Sequence, residues 1–565
     1  MLGNKKKLLV FLSAFFIFLI SAIYLTYPLI FHLTNFTTGY GDEFLIAWIQ
    51  NHTIYSLFHS PTQLFNGNIF YPFSNTMAYS DIFLSSSILS APLIIIFKEP
   101  IVAVNFTLIS SLIMLGFSIF LLAYYLKKNY LASLIAGLMV VFSPAVLDKK
   151  VHLQILSVFW VPLSILFFLH FFKTKKSRWL ALSMIFFVIQ TSNSFLPGYF
   201  LIFFFLIYVI FTFFKKRENI ALLFQKKNLF ILLISLLVLL PLVIPYFKVS
   251  KEFNYTRDIR DSIHFALQPE DFLVTSSDSR MQNILPQGFR VDKFHNGEIK
   301  PGFLGLVFSI LSIASLIYFI KKRKKDLTLI SLFVTGILGL VTSLGPAMHL
   351  ARQTIHHPFL IPLPYALFYY ILPGFSGFRN SARWEVLFIL CFAPLIAVML
   401  AALFKKIGKE KSLIVSFFII LGIVLEFNYP LNFYNVPQIS KFPEVYSFLK
   451  ENPKPAIFIP VCNWNDKCGS EEFLRVYYSD QGFPQMVNGT SGFSPPAWQN
   501  EIQTINNNFP SSLSLNLIKQ TGAKYIIFEK STWDKYFKFD PLPSLESNKN
   551  LKLIRKFDNT YVFEL

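Results

Sequence analysis

The chain has 565 residues, of which 54% are hydrophobic and 18% aromatic, and its formal net charge is +20. A composition this apolar excludes a soluble enzyme and predicts a polytopic membrane protein. The positive charge lies in short clusters between apolar runs, which is typical of topology signals and excludes a nucleic-acid partner.

The apolar runs give the order of the predicted spans. They lie at residues 8–30, 82–97, 101–126, 131–147, 153–172, 179–190, 198–214, 229–247, 303–320, 327–344, 386–404 and 413–427. About 20 apolar residues are enough to cross a bilayer as a helix, so most of these runs are candidate spans.

The basic clusters decide which of the runs cross. Lys5 to Lys7 precede the first run and predict a cytoplasmic N-terminus. The later clusters stand at 127–128, 173–178, 215–227, 321–325 and 405–411. All of these clusters lie on the cytoplasmic side only if the run at 82–97 does not cross the membrane. That run is short and contains Pro92. The sequence therefore predicts about eleven transmembrane helices, with the N-terminus inside and the C-terminus outside.

The first outer loop, residues 31–100, begins with an acidic pair. Asp42 and Glu43 follow Gly41, and the aromatic-rich stretch after them closes on Asp81. Acidic residues beside an aromatic, membrane-facing surface suit a substrate with a polar head and a lipid tail. The alternative interpretation is a solvated surface loop.

Other polar residues are predicted on the same side of the membrane. They are His152 and Gln154 before the fourth span, Tyr199, the loop 248–300, the set Arg352, His356 and His357, and the pair Arg379 and Arg383. The two arginines, four residues apart, share a helical face and either bind a phosphate or anchor lipid headgroups. His152 is either functional or a local hydrogen-bonding residue. Adjacent histidines without a third ligand predict no metal site, and the sequence leaves a divalent metal open.

From about residue 436 the composition becomes that of a soluble α/β domain on the outer side, residues 436–565. Helices are predicted at 442–450 and 513–521, strands at 456–461 and 524–528, and a terminal hairpin at 551–557 and 561–564. The Gly- and Pro-rich stretch 486–496 is either a connector or a cover over a site. Cys462 and Cys468 would close a small loop by a disulfide if the region is outside.

Several short motifs carry a family resemblance. Gly41-Asp42 with Trp48, Asn68 to Pro72 and Tyr79 to Asp81 resemble the first outer loop of bacterial GT-C-type glycosyltransferases. His152-Leu153-Gln154 and the stretch from Leu372 to Trp384 are similar to further motifs of that group. The resemblance covers roughly residues 1–430 and is nearest to an uncharacterised group with a small C-terminal extracytoplasmic domain. That group often has Gly where Val151 stands and Glu where Asp81 stands.

The resemblance implies a polyprenyl-phosphate-dependent glycosyltransferase of the plasma membrane and cell envelope. It implies a GT-C-like transmembrane domain over residues 1–430, a polyprenyl-phosphate-sugar donor, and a glycan, lipid or protein acceptor on the extracytoplasmic face. No cofactor is expected. Asp42 is the expected catalytic base, and the expected substrate-binding residues are Glu43, Asp81, His152, Gln154, Tyr199, Arg379 and Arg383.

Three alternatives remain, and one is a scaffold or assembly protein, which would tolerate loss of Asp42. A lipid-linked-oligosaccharide polymerase or ligase shares outer-face Arg and His chemistry. A transporter or flippase is also polytopic, but charges or broken helices near the bilayer midplane would be expected of it.

Overall fold

A computed structural model describes residues 4–215, 217–273, 302–322, 326–350, 353–355, 360–426 and 431–565 of the chain. The chain forms two compact units, each built from three segments. The first unit contains residues 1–30, 108–241 and 256–431, and the second contains residues 31–107, 242–255 and 432–565.

Long apolar helices make up most of the first unit. Its described helices of more than one turn are Asn4–Leu25, Ile101–Lys127, Tyr130–Val141, Trp160–Thr174, Ser177–Asn193, Phe195–Lys215, Lys226–Glu252, Ile259–His264, Leu306–Lys322, Leu327–Ser343, Pro364–Ile371, Glu385–Ile407 and Lys409–Glu426. Single turns at Pro144–Leu147, Leu153–Leu156 and Arg217–Ile220 connect some of them. Ile101–Lys127 and Lys226–Glu252 each include residues of both units.

The chain is a multi-pass membrane protein by the length and composition of these helices. Six of them can cross a membrane, and a bent pair, Tyr130–Val141 with Pro144–Val151, raises the number to seven. Four more helices coincide with predicted spans but have only 17 or 18 residues: Ser177–Asn193, Leu306–Lys322, Leu327–Ser343 and Lys409–Glu426. At 1.5 Å per residue these helices fall short of a bilayer core of about 30 Å. The number of eleven crossings stays a prediction.

Glycines allow the helices of the first unit to approach closely. A side chain at Gly116 would come within 2.5 Å of the Phe18 ring, so this ring fills the space that the missing side chain leaves. A side chain at Gly339 would come within 3.0 Å of the Phe388 backbone, which brings helix Leu327–Ser343 against helix Glu385–Ile407. The second contact fixes the start of helix Glu385–Ile407, which begins two residues after Arg383.

The second unit combines the first loop with the C-terminal residues. Its longer helices are Asp42–His59, Leu84–Phe97, Glu444–Glu451, Gly469–Tyr478, Pro496–Asn508, Ser512–Gln520, Lys530–Tyr536 and Leu542–Glu546. Phe36–Thr37 and Tyr434–Asn435 form a two-stranded antiparallel sheet in this unit. Four strands form its larger sheet: β1 (Ala456–Ile459), β2 (Tyr525–Glu529), β3 (Lys552–Phe557) and β4 (Thr560–Glu564). The order is β1-β2-β4-β3, with β1 and β2 parallel and the other pairs antiparallel.

These elements confirm the helices and strands predicted from the C-terminal sequence. The predicted hairpin is the pair β3 and β4, which turns at Asp558. The predicted non-crossing run is the 14-residue helix Leu84–Phe97, in which Ser85, Ser86 and Ser87 are buried and Pro92 lies inside. Its position relative to the membrane stays a prediction.

The stretch 486–496 begins by bonding to the first loop. Ala456 pairs with Met486, and Met486 N–H donates to Asn68 O at 2.8 Å. In return Phe70 N–H donates to Asn488 O at 2.9 Å, and Tyr71 N–H donates to Met486 O at 2.8 Å. The motif that carried part of the family resemblance, Asn68 to Pro72, therefore has a structural role in joining two distant parts of the sequence.

Replacing Trp48 by Phe tests this connection between the first loop and the C-terminal residues. Trp48 Nε1–H donates to Asn68 Oδ1 at 2.8 Å, and Asn68 Nδ2–H donates to Pro484 O at 2.8 Å. We expect Trp48→Phe to lower the free energy of unfolding by about 1–3 kcal/mol because a buried amide oxygen loses its donor. Thermal unfolding in detergent measures the change, with Phe58→Leu, exposed on the same helix, as the control. An unchanged unfolding temperature would contradict the bond's importance.

A buried ionic cluster stabilises the C-terminal part of the second unit. Arg475 contacts Glu472 at 2.6 Å and Glu529 at 2.5 Å. Glu472 also accepts from Cys462 N–H at 2.9 Å and from Asn488 Nδ2–H at 2.9 Å. Burial raises the pKa of the Glu472 carboxyl, and the Arg475 charge opposes that shift. Cys462 is disulfide-bonded to Cys468, which closes the loop predicted from the sequence.

Asp480 lies close to this cluster in the sequence but is not part of it. Both of its carboxylate oxygens are buried, and neither has a hydrogen-bond partner in the described part of the chain. Burial raises the pKa of the Asp480 carboxyl well above its ordinary value of 3.8. The folded state therefore binds this proton more tightly than the unfolded chain does.

We expect Asp480→Asn to stabilise the protein at neutral pH. With a raised folded-state pKa, the wild-type stabilisation is complete below the ordinary pKa and falls as pH rises towards the folded value. The slope reaches at most about 1.4 kcal/mol per pH unit. Thermal unfolding at pH 5 and pH 8 measures it, and Asp480→Asn should flatten it while Asp534→Asn, on an exposed side chain, should not. An Asp480→Asn variant that unfolds at a lower temperature than the wild type at pH 8 would contradict the shift.

Candidate functional site

The acidic pair of the first loop stands at the start of a helix. Helix Asp42–His59 begins after Gly41 and has both acids in its first turn. A carboxylate in the first turn is favoured by the unpaired N–H groups and by the helix dipole. Asp42 is half-buried and Glu43 is only 2% exposed. The two acids, which are neighbours in the sequence, therefore differ in their exposure to solvent.

Glu43 is held within the loop. Thr38 Oγ1–H donates to Glu43 Oε1 at 3.1 Å, and a side chain at Gly39 would come within 2.6 Å of the same oxygen. Burial raises the pKa of the Glu43 carboxyl, while its hydrogen bonds, including that from Thr38, lower it. The glycine at position 39 therefore leaves space for the Glu43 carboxyl, and Glu43 fixes the turn before the helix.

Helix Asp42–His59 packs on residues of the C-terminal segment. The ring centroid of Phe44 lies 4.8 Å from that of Tyr477, and the ring of His52 lies 5.2 Å from that of Phe483. Burial lowers the pKa of His52 to about 4, so its imidazole is neutral. These contacts, made from two different turns of the helix, set the direction of the helix that begins at Asp42.

Asp81 ends the same loop within the second unit. It follows the short 3₁₀ turn Thr76–Tyr79 and is half-buried. Tyr246 O–H donates to Ser80 O at 2.8 Å, and the Asp81 charge acts on the Tyr246 hydroxyl. The loop end that carries Asp81 is therefore attached to residues 242–255.

The first unit brings Tyr199 onto the motif Leu372 to Trp384. The Tyr199 hydroxyl donates to Pro373 O, and its ring lies 5.6 Å from Phe375 and 5.8 Å from Phe378. Gly374, with φ +74, provides the left-handed residue before the short turn Phe375–Gly377. Two motifs far apart in the sequence thus meet directly before Arg379.

The two arginines lie beside the segment 259–267. The Arg379 guanidinium lies over the Phe265 ring at 5.2 Å from its centroid. Ala382 N–H donates to Phe265 O at 3.3 Å, and Ser381 Oγ–H donates to Ser262 O at 2.9 Å. Arg383 belongs to the 3₁₀ turn Ser381–Trp384, and both arginines are half-buried.

His152 and Gln154 lie in the turns after the bent helix pair. Asp148–Val151 is a 3₁₀ turn, His152 follows it, and Gln154 lies in the single turn Leu153–Leu156. Lys149 Nζ in the first turn contacts Glu385 Oε1 at 2.8 Å. That ion pair connects the segment of His152 to the segment of Arg383.

Sequence reasoning did not single out Glu385. It stands two residues after Arg383 at the start of a predicted span, where an acid is unusual, and this position was the available signal. Its partner Lys149, three residues before His152, was not assigned a role either. The pairing itself depends on how the two spans pack, which a single sequence does not give.

The predicted site residues occur in both units. Asp42, Glu43 and Asp81 lie in the second unit, and His152, Gln154, Tyr199, Arg379 and Arg383 lie in the first. Their catalytic and substrate-binding roles stay predictions. Arg352, His356, His357 and most of the loop 248–300 lie outside the described residues. Among the residues that are described, no group of three or more His, Cys, Asp or Glu could hold a metal ion.

Comparison with solved structures shows what the chain resembles. A mutant of arabinofuranosyltransferase AftD from Mycobacteria matches with a TM-score of 0.52 and 11% identity over 100% of this chain. The chain covers 42% of that protein, so it spans less than half of AftD. The archaeal oligosaccharyltransferase AglB from Archaeoglobus fulgidus matches with a TM-score of 0.48 and 12% identity, over 94% of this chain and 70% of AglB. No family model and no curated protein matches the sequence.

The chain shares the fold of arabinofuranosyltransferase AftD over its whole length. This finding confirms the resemblance that the first-loop, His152 and Arg379 motifs indicated, since the AftD match extends over the whole chain. At 11% identity the likeness establishes the shared fold alone.

Proposed function

We propose that the chain is an integral-membrane glycosyltransferase. It moves a sugar from a polyprenyl-phosphate-linked donor to a glycan, lipid or protein acceptor on the extracytoplasmic face, with inversion at the anomeric carbon. The observation that carries the proposal is Asp42, a half-buried acid at the start of a helix in the first loop of a chain with a GT-C-type fold. AftD, whose name states arabinofuranosyl transfer, supports a pentosyl donor, and a hexosyl donor is the other class that we propose.

The proposed chemistry needs a base and an electrophilic stabiliser. The acceptor hydroxyl attacks the anomeric carbon, and Asp42 takes its proton as the new glycosidic bond forms. The bond from the anomeric carbon to the phosphate oxygen breaks, and the polyprenyl phosphate leaves with increased negative charge. Arg379 and Arg383, with His152, are the groups proposed to stabilise that charge. Glu43, Asp81, Gln154 and Tyr199 are proposed to bind substrate.

The proposed topology has eleven spans and an extracytoplasmic domain at residues 436–565. The disulfide between Cys462 and Cys468 supports the outer location because such bonds persist outside the reducing cytosol. Cysteine labelling from outside tests it: a cysteine at position 150 should react, and one at position 128 should not.

The test of the function is transfer of radiolabelled sugar in membranes that contain the protein. The donors are polyprenyl phosphates carrying different pentoses and hexoses, and Asp42→Asn provides the matched inactive control. Product formed by the wild type but not by the control supports the proposal. Equal product from both would refute the role of Asp42. Movement of labelled lipid across the bilayer without a new glycosidic bond would favour a flippase instead.

A further inference from the structure

One ion pair in the first unit is almost completely buried. Lys149 Nζ lies 2.8 Å from Glu385 Oε1, and the two side chains are 11% and 0% exposed. Glu385 is the first residue of helix Glu385–Ile407, and Lys149 lies in the turn Asp148–Val151. The proposed chemistry assigns no role to either residue.

Stability alone does not account for such a pair. Removing two charges from water costs several kcal/mol per ion, and apolar replacements of similar volume are often neutral or stabilising. A buried pair of opposite charges does fix one relative position of the segments that carry it, because an alternative register would leave a buried charge unpaired. Lys149 and Glu385 should therefore set register between their two segments.

Each partner is bonded through the backbone to a turn that carries a predicted phosphate-binding residue. His152 N–H donates to Lys149 O at 2.9 Å. Glu385 N–H donates to Ala382 O and Arg383 O at the end of the turn Ser381–Trp384. A shift of either member of the pair would therefore move His152 or Arg383 with it.

A third segment lies near Glu385. The charges of Asp148 and Asp271 act on Glu385, and Asp271 belongs to the turn Pro269–Leu273. The segment just before that turn, around Phe265, accepts the Ala382 N–H at 3.3 Å. Three segments that are distant in the sequence thus converge on one lysine and one glutamate.

We infer that the Lys149–Glu385 pair is a positioning element that holds His152 and Arg383 in register to bind the phosphate of a lipid-linked donor. The inference rests on the proposed function. Neither residue reacts: Lys149 fixes the turn that ends at His152, and Glu385 fixes the turn that contains Arg383. The pair therefore acts on donor binding more than on the chemical step.

The test compares the wild type with two variants, the apolar double variant Lys149→Met with Glu385→Leu, and Glu385→Gln. We expect the apolar double variant to unfold near the wild-type temperature, and Glu385→Gln to unfold at a lower temperature because it leaves the Lys149 charge buried and unpaired. In both variants the donor KM should rise by about 10- to 100-fold, with kcat changed less. Lys149→Arg, which keeps the ion pair, should retain most of the wild-type affinity. A purely structural pair would change the unfolding temperature and leave the donor KM unchanged.

A second measurement separates this inference from the proposed function. Stabilisation of the purified protein against heat by polyprenyl phosphate reports donor-site binding without any transfer. If the wild type neither binds that lipid nor transfers sugar, the proposed function has failed. If the wild type does both, a wild-type KM in either folded variant overturns the positioning role. Failure of both variants to fold would also overturn it, because the pair would then serve folding itself.

Discussion

Replacing Asp42 by Asn is expected to lower sugar transfer by about 10²- to 10⁴-fold, the usual contribution of a positioned general base. The amide keeps the size of the carboxylate but cannot accept the acceptor's proton. Donor binding should persist, so the donor KM should change far less than kcat. Steady-state transfer at saturating donor, with the protein quantified in each membrane preparation, measures the effect.

The fold should survive this substitution. Asp42 is half-buried, and its contribution at the helix start is the interaction of a negative charge with the first-turn N–H groups. That interaction is worth about 0.3–1 kcal/mol, and Asn also serves well near a helix start. An unfolding temperature close to that of the wild type therefore distinguishes lost chemistry from lost structure.

Two matched variants sharpen the result. Asp558→Asn makes the same chemical change in the turn between β3 and β4, where the backbone is left-handed and tolerates Asn, and transfer should remain unchanged. Asp81→Asn changes another half-buried acid of the first loop. If Asp81→Asn abolishes transfer and Asp42→Asn does not, the base has been assigned to the wrong end of the loop.

Local sequence patterns predicted most of the helices and strands. Apolar runs of 17 or more residues gave the long helices because burial of their side chains depends on composition over each run. The β-branched and aromatic run before Pro460 gave β1 in the same way. The break near Ser143 in the predicted span 131–147 was not foreseen, although Pro144 begins the second part of that bent pair.

The sequence did not predict which distant segments bond to one another. Asn68 and Phe70 were recognised as motif residues, but their hydrogen bonds reach across more than 400 positions to Pro484 and Asn488. A division of the chain at residue 430 follows composition, whereas these bonds place residues 31–107 in one compact unit with residues 432–565. Composition indicates whether a segment lies in the membrane or in water. It carries no information on which segments pack against one another.

The candidate site, like the fold, could be predicted only in part. Sequence reasoning selected Tyr199 by its predicted place on the outer side and the stretch Leu372 to Trp384 by the motif resemblance, and the structure brings the two into contact. It did not select Glu385, because the place of an acid at the start of a span does not show which residue it pairs with. Residue types that react were therefore easier to find than residues that position them.

The two arginines are expected to differ when each is changed to lysine. Arg383 follows Ser381 and Ala382, whose side-chain and backbone bonds to Ser262 and Phe265 fix the turn, and its charge acts on the Tyr365 hydroxyl. A guanidinium in a fixed turn can bind a phosphate through two parallel N–H groups, and an ammonium cannot. Arg383→Lys should therefore lower kcat/KM for the donor by about 10²- to 10³-fold.

Arg379→Lys should have a smaller effect, less than about tenfold, because an ammonium over the Phe265 ring keeps most of the cation–π attraction that holds the guanidinium there. The two variants carry the same charge as the wild type, so a difference between them reports geometry and not the local potential. Donor titrations at two salt concentrations measure both. If the two variants lose activity equally, or if salt removes the difference, the arginines act only as a diffuse positive charge, and the headgroup-anchor interpretation replaces bidentate phosphate binding.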